Sequence, residues 1–143
     1  MTDVTIVNGL VGGVLATVVM TALMMALGDD SPPPTALFLA EYVGDGRPEQ
    51  YMMPGMVLHL LYGIGAGAGL AVVLIGAGFD PINTVEAIGA GLGYGLILFV
   101  FAAVFWMKLV LDMDPEPKDV GLFLLFHLVY GLVLGAVIGF GPV

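Results

Sequence analysis

Four long runs of apolar residues alternate with short polar segments along this chain. Each run is long enough to cross a hydrocarbon core of about 30 Å, which requires roughly 20 helical residues. The runs cover residues 7–27, 53–78, 87–111 and 120–140. A helix pairs every backbone N–H and C=O group within such a run, so the pattern predicts an all-α integral membrane bundle of four transmembrane helices.

The polar segments between the runs end the helices and leave space for one additional short helix. Residues 29–34 contain three prolines and residues 112–119 contain two, so neither segment continues a helix. Residues 79–86 connect the second and third spans, and Thr84 is the predicted N-cap region of the third. Residues 35–43 are too few to cross and predict a short interfacial helix. All 143 residues are therefore expected to form a single four-span membrane domain.

Glycines recur at a spacing of four within every predicted span. The rows are Gly9/Gly13, Gly63/Gly67, Gly89/Gly93 and Gly131/Gly135/Gly139. Rows of small residues let helices approach closely, which predicts a compact bundle. We also expect exposed rows on every helix to allow self-association or docking with other membrane subunits.

The composition agrees with a membrane protein and removes several other classes. The chain is 59% hydrophobic and 10% charged, whereas soluble domains are about one quarter charged. A net charge of −9 with three Lys and Arg residues provides no basic cluster for nucleic acid. Zero cysteines exclude disulfides and thiolate metal sites. We expect a multi-pass protein of the cell membrane.

The charges in the loops leave the orientation open. The three basic residues, Arg47, Lys108 and Lys118, all lie on the side of the first and third loops. The positive-inside rule would make that side cytoplasmic. The same side also carries most of the acidic residues, and three basic residues are a small sample.

One short motif occurs in both the second and the fourth span. Residues 59–63 read HLLYG and residues 127–131 read HLVYG. Each half of the chain crosses twice, so the halves share one topology and the two motif helices run parallel. At a rise of 1.5 Å per residue, the two histidines differ in depth by roughly 3 Å. The sequence thus predicts an internal repeat of two like hairpins, with both imidazoles at one level.

The repeated motif supplies a candidate cofactor site, because ionisable residues inside a membrane are rare. The candidate residues are His59, His127, Tyr62, Tyr130, Gly63 and Gly131. Two facing imidazoles, next to glycines that make room for a porphyrin, are typical of a b-type haem held between helices. Two other interpretations stay open: the imidazoles form hydrogen bonds across helix interfaces as packing groups, or they serve proton or metal chemistry.

Methionines add a second candidate for the same region. Eight of the nine methionines are predicted on the histidine side of the bilayer. Thioethers beside imidazoles suit Cu(I), so His59, His127 and Met56 form a candidate metal set. The competing interpretation is that methionine fills irregular helix interfaces.

No catalytic motif appears, and no Asp, Glu, Lys or Arg lies in the middle of a span. Both observations argue against an enzyme and against an ion-coupled transporter. We expect a non-catalytic small subunit or binding component of a larger membrane assembly. The alternative is an electron-transfer protein that binds haem or copper through His59 and His127.

Residues 16–21 (ATVVMT) and the paired HLxYG helices resemble a family of small four-helix prokaryotic membrane proteins of unknown function. The resemblance covers nearly the whole chain. It implies the same four-helix architecture, with histidines in spans two and four at the positions of His59 and His127. It brings no ligand and no reaction.

Overall fold

A computed structural model describes all 143 residues of the chain. Its α-helices are α1 (Ile6–Leu27), α2 (Pro34–Tyr42), α3 (Met52–Gly76), α4 (Thr84–Phe101) and α5 (Pro117–Phe140). A 3₁₀ turn at Pro48–Tyr51 leads into α3, and a π-helix at Ala102–Val110 continues α4. Four helical segments are long and apolar enough to cross a membrane. The predicted all-α fold with four apolar spans is confirmed, and it is the architecture of a multi-pass membrane protein.

The third span begins earlier than the predicted range of 87–111, because Asn83 caps it. The Asn83 side chain accepts a hydrogen bond from the Glu86 backbone N–H at 2.9 Å, and the Glu86 carboxylate accepts the Asn83 N–H at 3.5 Å. This reciprocal pair is a capping box. Thr84 lies in the N-cap region, as predicted, but the cap itself is Asn83, since the Thr84 hydroxyl donates to the Gly139 carbonyl at 3.1 Å.

Other helix starts follow from prolines and a hydroxyl group. Pro34 and Pro117 stand at the first positions of α2 and α5, where a missing N–H costs nothing and the fixed φ favours the helix. Thr5 caps α1 and accepts the Asn8 N–H at 3.0 Å. The helices therefore begin at these residues rather than at the first residue of each apolar run.

The four spans form an open arrangement in the order α3, α1, α5, α4. α1 packs against both α3 and α5, and α5 packs against α4, whereas α3 and α4 are not closely packed. A hydrogen bond from the Tyr94 hydroxyl to the Ala66 carbonyl, 2.9 Å long, joins α4 to α3 across this gap. The gap between α3 and α4 is therefore the open side of the bundle.

Glycines bring α1 and α3 into close contact. A Cβ atom placed on Gly9 would come within 2.7 Å of the Gly67 carbonyl oxygen, and one on Gly13 within 2.7 Å of the Gly63 carbonyl oxygen. Real side chains do not approach a backbone oxygen so closely. The two helices can cross at this distance only because these positions lack side chains.

A second glycine contact joins α4 to α5, through Gly91 and Gly95 rather than through the predicted row. Cβ atoms placed on Gly91 and on Gly131 would each meet the other residue's carbonyl oxygen, whereas Gly89 and Gly93 face open space. Most glycine rows are thus buried inside the bundle. The expectation that every helix keeps an exposed glycine row is wrong. Among the predicted rows, only Gly89 and Gly93 on α4 face open space.

The chain termini close the end of the bundle opposite α2. Thr2 and Ile82 pair in a single antiparallel bridge, with hydrogen bonds of 2.8 and 2.9 Å. The Val143 N–H donates to the side-chain oxygen of Asn8 at 3.2 Å, and Asn8 is almost fully buried. These contacts tie the N-terminal segment to the α3–α4 loop and to the C-terminus.

Candidate functional site

A cavity of about 200 Å³ lies inside the half of the bundle nearest α2. All four spans and the start of α2 contribute to its lining, and no Asp, Glu, Lys or Arg is among the lining residues. His59, Tyr62 and Gly63 line it from α3, and His127 and Tyr130 line it from α5. We call it the histidine cavity. The structure therefore brings together all the candidate cofactor residues except Gly131.

Gly131 does not line the histidine cavity, because it is packed against α4. A Cβ atom placed on Gly131 would collide with the carbonyl oxygen of Gly91. Gly63 does line the cavity, but a Cβ atom there would collide with the hydroxyl of Thr17. Both motif glycines thus serve helix contacts, and neither supplies the space beside its histidine that the sequence suggested.

Met56, the methionine of the candidate metal set, also lies outside the cavity lining. Met20 and Met24 of α1 and Met107 of the π-helix line it instead. No group of three or more His, Cys, Asp or Glu side chains is placed to hold a metal ion. A metal in this cavity would therefore depend on imidazole and thioether ligands.

His127 is held in one orientation by its own helix. Its Nδ1 atom lies 2.8 Å from the backbone carbonyl oxygen of Phe123. Because a carbonyl oxygen only accepts, Nδ1 carries the proton, and Nε2 of the neutral ring keeps its lone pair. The ring of Phe123 packs edge-on against the imidazole, with centroids 4.5 Å apart. The free nitrogen of His127 is thus an acceptor or a metal ligand.

His59 differs from His127, because its Nε2 atom is buried without a hydrogen-bond partner. The hydroxyl oxygen of Thr35, at the start of α2, is also buried and unpartnered. Both residues line the histidine cavity. Buried polar side-chain atoms in folded proteins usually have a partner, so two such atoms around one cavity make it a candidate binding place for a ligand or water.

Thr35 was not a candidate from the sequence. It appears there as one of the first residues of a short interfacial helix, and no motif distinguishes it. Only the packing of α2 against α3 brings its hydroxyl to the cavity. No signal in the sequence would have placed it in the same cavity lining as His59.

The two motif tyrosines occupy different environments. Tyr130 is 3% exposed, and its hydroxyl donates to the backbone carbonyl of Gly63. Tyr62 is 44% exposed, although it also lines the histidine cavity. The cavity therefore reaches the surface of the bundle beside Tyr62 and is closed beside Tyr130.

α2 covers the end of the histidine cavity. Phe38 packs edge-on against Trp106 of the π-helix, with ring centroids 5.4 Å apart. The Tyr42 hydroxyl donates to the Val110 carbonyl at 2.6 Å. Trp106, the single tryptophan, lines the cavity beneath this cover. α2 therefore covers the cavity, and we call this helix the roof. One aromatic contact and one hydrogen bond attach it to the π-helix.

Comparison with known proteins gives no relative for this chain. No protein-family model matches it, and neither a curated protein nor a solved structure matches it. The resemblance to small four-helix prokaryotic membrane proteins therefore stays a prediction.

Proposed function

We propose that the chain is a non-catalytic binding component of the cell membrane that holds a small lipid-soluble molecule in the histidine cavity. One observation carries the proposal: a largely apolar cavity of about 200 Å³ is lined by His59, whose Nε2 atom is buried and has no hydrogen-bond partner. An apolar lining with a few convergent polar groups is typical of small-molecule sites. The four apolar spans support residence in a membrane.

The volume of the cavity limits the size of the ligand. An apolar cavity of roughly 150 Å³ binds benzene, and sites for drug-sized ligands occupy roughly 300–1,000 Å³. At about 200 Å³, the histidine cavity lies between these sizes. A single ring with a few substituents fits this volume. Because no charged side chain lines the cavity, the ligand is neutral.

The open side of the bundle supplies a route from the lipid phase. α3 and α4 are not closely packed, and Tyr62, which lines the cavity, is half exposed. A neutral ring dissolved in the bilayer would enter beside Tyr62 without crossing the polar loops. The route favours a lipid-soluble ligand over a water-soluble one.

The fluorescence of Trp106 tests the proposal, because this single tryptophan lines the cavity. Bromobenzene, a ring that quenches through its heavy atom, is titrated into the protein in detergent. Ala66→Phe fills the cavity from α3, and Val72→Phe adds the same ring to an exposed position of α3 outside the lining. We expect saturable quenching in the unchanged protein and in Val72→Phe, and its loss in Ala66→Phe.

Circular dichroism of each variant serves as the control for folding. Quenching that rises without saturation and equally in all three proteins would show only partition of bromobenzene into the detergent. That result would reject the cavity as a binding site.

A b-type haem, or a copper ion, between His59 and His127 is the second candidate. Both histidines line one cavity, and the Phe123 carbonyl leaves Nε2 of His127 free, as second-shell carbonyls do for metal-bound histidines. Copper would add thioether ligands from the lining methionines. A porphyrin is much larger than one ring, so the helices would have to separate to admit it.

An optical spectrum and a metal analysis of the purified protein test this second candidate. Haem predicts a stoichiometric Soret band that is lost in both His59→Ala and His127→Ala. Copper predicts stoichiometric metal that the same substitutions remove. Without a Soret band or bound copper, this candidate is rejected.

Equivalent glycine contacts support the predicted internal repeat. Gly63 of the first HLxYG motif meets Gly13 of the preceding span, and Gly131 of the second motif meets Gly91 of the preceding span. The same motif position therefore makes the same kind of contact in both hairpins. A duplicated hairpin explains why a packing position and a histidine recur together.

Association with other membrane subunits, or with a second copy, stays a prediction. The open row of Gly89 and Gly93 on α4 supports it, because small exposed residues let a second helix approach. Light scattering of the protein in detergent gives the mass. A dimer that Gly89→Leu converts to a monomer would agree with association through this row, and a monomeric unchanged protein would contradict self-association.

A further inference from the structure

We infer that the histidine cavity takes a neutral single ring bearing two oxygen functions, the chemistry of a quinone or hydroquinone head group. The inference rests on the proposed function, that the cavity binds a small lipid-soluble molecule. It adds which atoms of the protein the ligand meets. No electron transfer is required, because the inference concerns binding alone.

Two buried hydrogen-bonding atoms of the lining have no partner, in addition to the free, acceptor-only Nε2 atom of His127. The hydroxyl of Thr17 donates to the Gly13 carbonyl at 2.7 Å, and the hydroxyl of Tyr130 donates to a carbonyl of α3, so these groups are already used. Nε2 of His59 and the hydroxyl of Thr35 have no partner. They belong to different elements, α3 and α2, so a ligand with two separate polar atoms can pair with each of them.

Both free groups can donate or accept. A neutral imidazole nitrogen carries either a proton or a lone pair, and no hydrogen bond to Nε2 fixes which of the two His59 has. A hydroxyl group such as that of Thr35 does both. Quinone carbonyls accept hydrogen bonds, and hydroquinone hydroxyls also donate them. This pair of residues therefore suits both forms of one ring.

The rest of the lining favours a flat ring. Phe38 of α2, Trp106 of the π-helix and Phe123 of α5 each contribute an aromatic surface. Aromatic side chains stack on, or meet edge-on, a planar ligand of their own size. A volume of about 200 Å³ leaves space for one substituted ring.

A hydrocarbon ring of the same shape would leave both polar atoms unpaired. A buried polar group without a hydrogen bond costs free energy, and a ligand with a matching polar atom recovers that cost. A charged ligand would find no counter-ion in the lining. The ring oxygens are therefore expected to decide affinity. An apolar tail on the ring would leave between α3 and α4, past the exposed Tyr62.

Equilibrium dialysis of two matched rings against the full chain in detergent tests the inference. Duroquinone carries two carbonyl groups on a tetramethylated ring, and durene has the same methylated ring without oxygen. We expect duroquinone to bind about tenfold more tightly, the effect of one to two net hydrogen bonds. Thr35→Val and His59→Leu should each weaken duroquinone binding by about three- to tenfold and leave durene binding unchanged.

Thr21→Val is the matched control for Thr35→Val, because Thr21 lies on α1 outside the cavity lining. It should change the binding of neither ring. Equal affinities for duroquinone and durene, or variants that leave duroquinone binding unchanged, would overturn the inference and leave the proposed function standing. Failure of both rings to bind would reject the proposed function itself.

Discussion

The hydroxyl of Tyr130 in the second HLxYG motif donates a hydrogen bond to the backbone carbonyl of Gly63 in the first. The bond joins α5 to α3 across the wall of the histidine cavity. Tyr62, the matching residue of the first motif, makes no such bond and is half exposed. The second copy of the motif thus closes the cavity, and the first leaves it open. Two nearly identical motifs therefore form two different sides of one cavity.

Removing the Tyr130 hydroxyl should destabilise the bundle. In Tyr130→Phe the buried Gly63 carbonyl loses its side-chain donor, and we expect the free energy of unfolding to fall by about 0.5–2 kcal/mol. Unfolding by sodium dodecyl sulfate in mixed micelles measures it. Tyr62→Phe removes the same atom from the half-exposed copy and should change stability little. Equal losses in the two variants would show that the bond is not what distinguishes the tyrosines.

A methyl group at Gly131 should separate α4 from α5. A Cβ atom there would collide with the backbone carbonyl of Gly91, which cannot rotate away. We expect Gly131→Ala to cost about 2 kcal/mol or more, as overpacked contacts do. Gly89→Ala has open space around it and should be neutral or stabilise by about 0.5–1 kcal/mol through helix propensity. The same unfolding titration compares the two, and a harmless Gly131→Ala would contradict the close crossing.

Loosening the roof should expose Trp106 to water. Phe38 covers the indole edge-on, so Phe38→Ala removes the aromatic contact between α2 and the π-helix. We expect stronger quenching of Trp106 by acrylamide and a shift of its emission to longer wavelength. Phe79→Ala, in the α3–α4 loop at the opposite end, is the control and should leave both unchanged. Unaltered quenching in Phe38→Ala would mean that α2 does not shield the cavity.

The four spans could be predicted from the sequence, because bilayer thickness fixes the length of each apolar run. The residues at which the helices begin were harder to predict. Asn83, not Thr84, caps α4, since the choice depends on which side chain reaches the free N–H groups of the first turn. The hydroxyl of Thr84 instead donates a hydrogen bond to the Gly139 carbonyl of α5. That competition involves a residue distant in the sequence.

The faces of the helices could not be predicted, because their residues are apolar all round. Gly89, Gly91, Gly93 and Gly95 offer two glycine rows on α4, and only the packing selects Gly91 and Gly95. The two HLxYG motifs likewise give no sign that Tyr130 is buried and Tyr62 exposed. Such choices follow from the rotation of each helix about its axis, which a sequence reveals only when one face of the helix is polar.

The lining of the candidate site could therefore be predicted only in part. The repeated motif identified His59 and His127, which do line one cavity. It also suggested space beside both motif glycines, which helix contacts occupy. Thr35 could be recognised only from the fold, because the packing of α2 against α3 places its hydroxyl at the cavity.

The position of bromine in crystals soaked with bromobenzene is the most direct measurement of ligand binding in the histidine cavity. Anomalous scattering locates the bromine atom without any assumption about the ligand. Binding predicts a bromine peak inside the cavity, between His59 and Trp106, that disappears in Ala66→Phe. Bromine found only on lipid-facing surfaces, such as the one formed by Leu96 and Ile97, would contradict a ligand-binding role for the cavity.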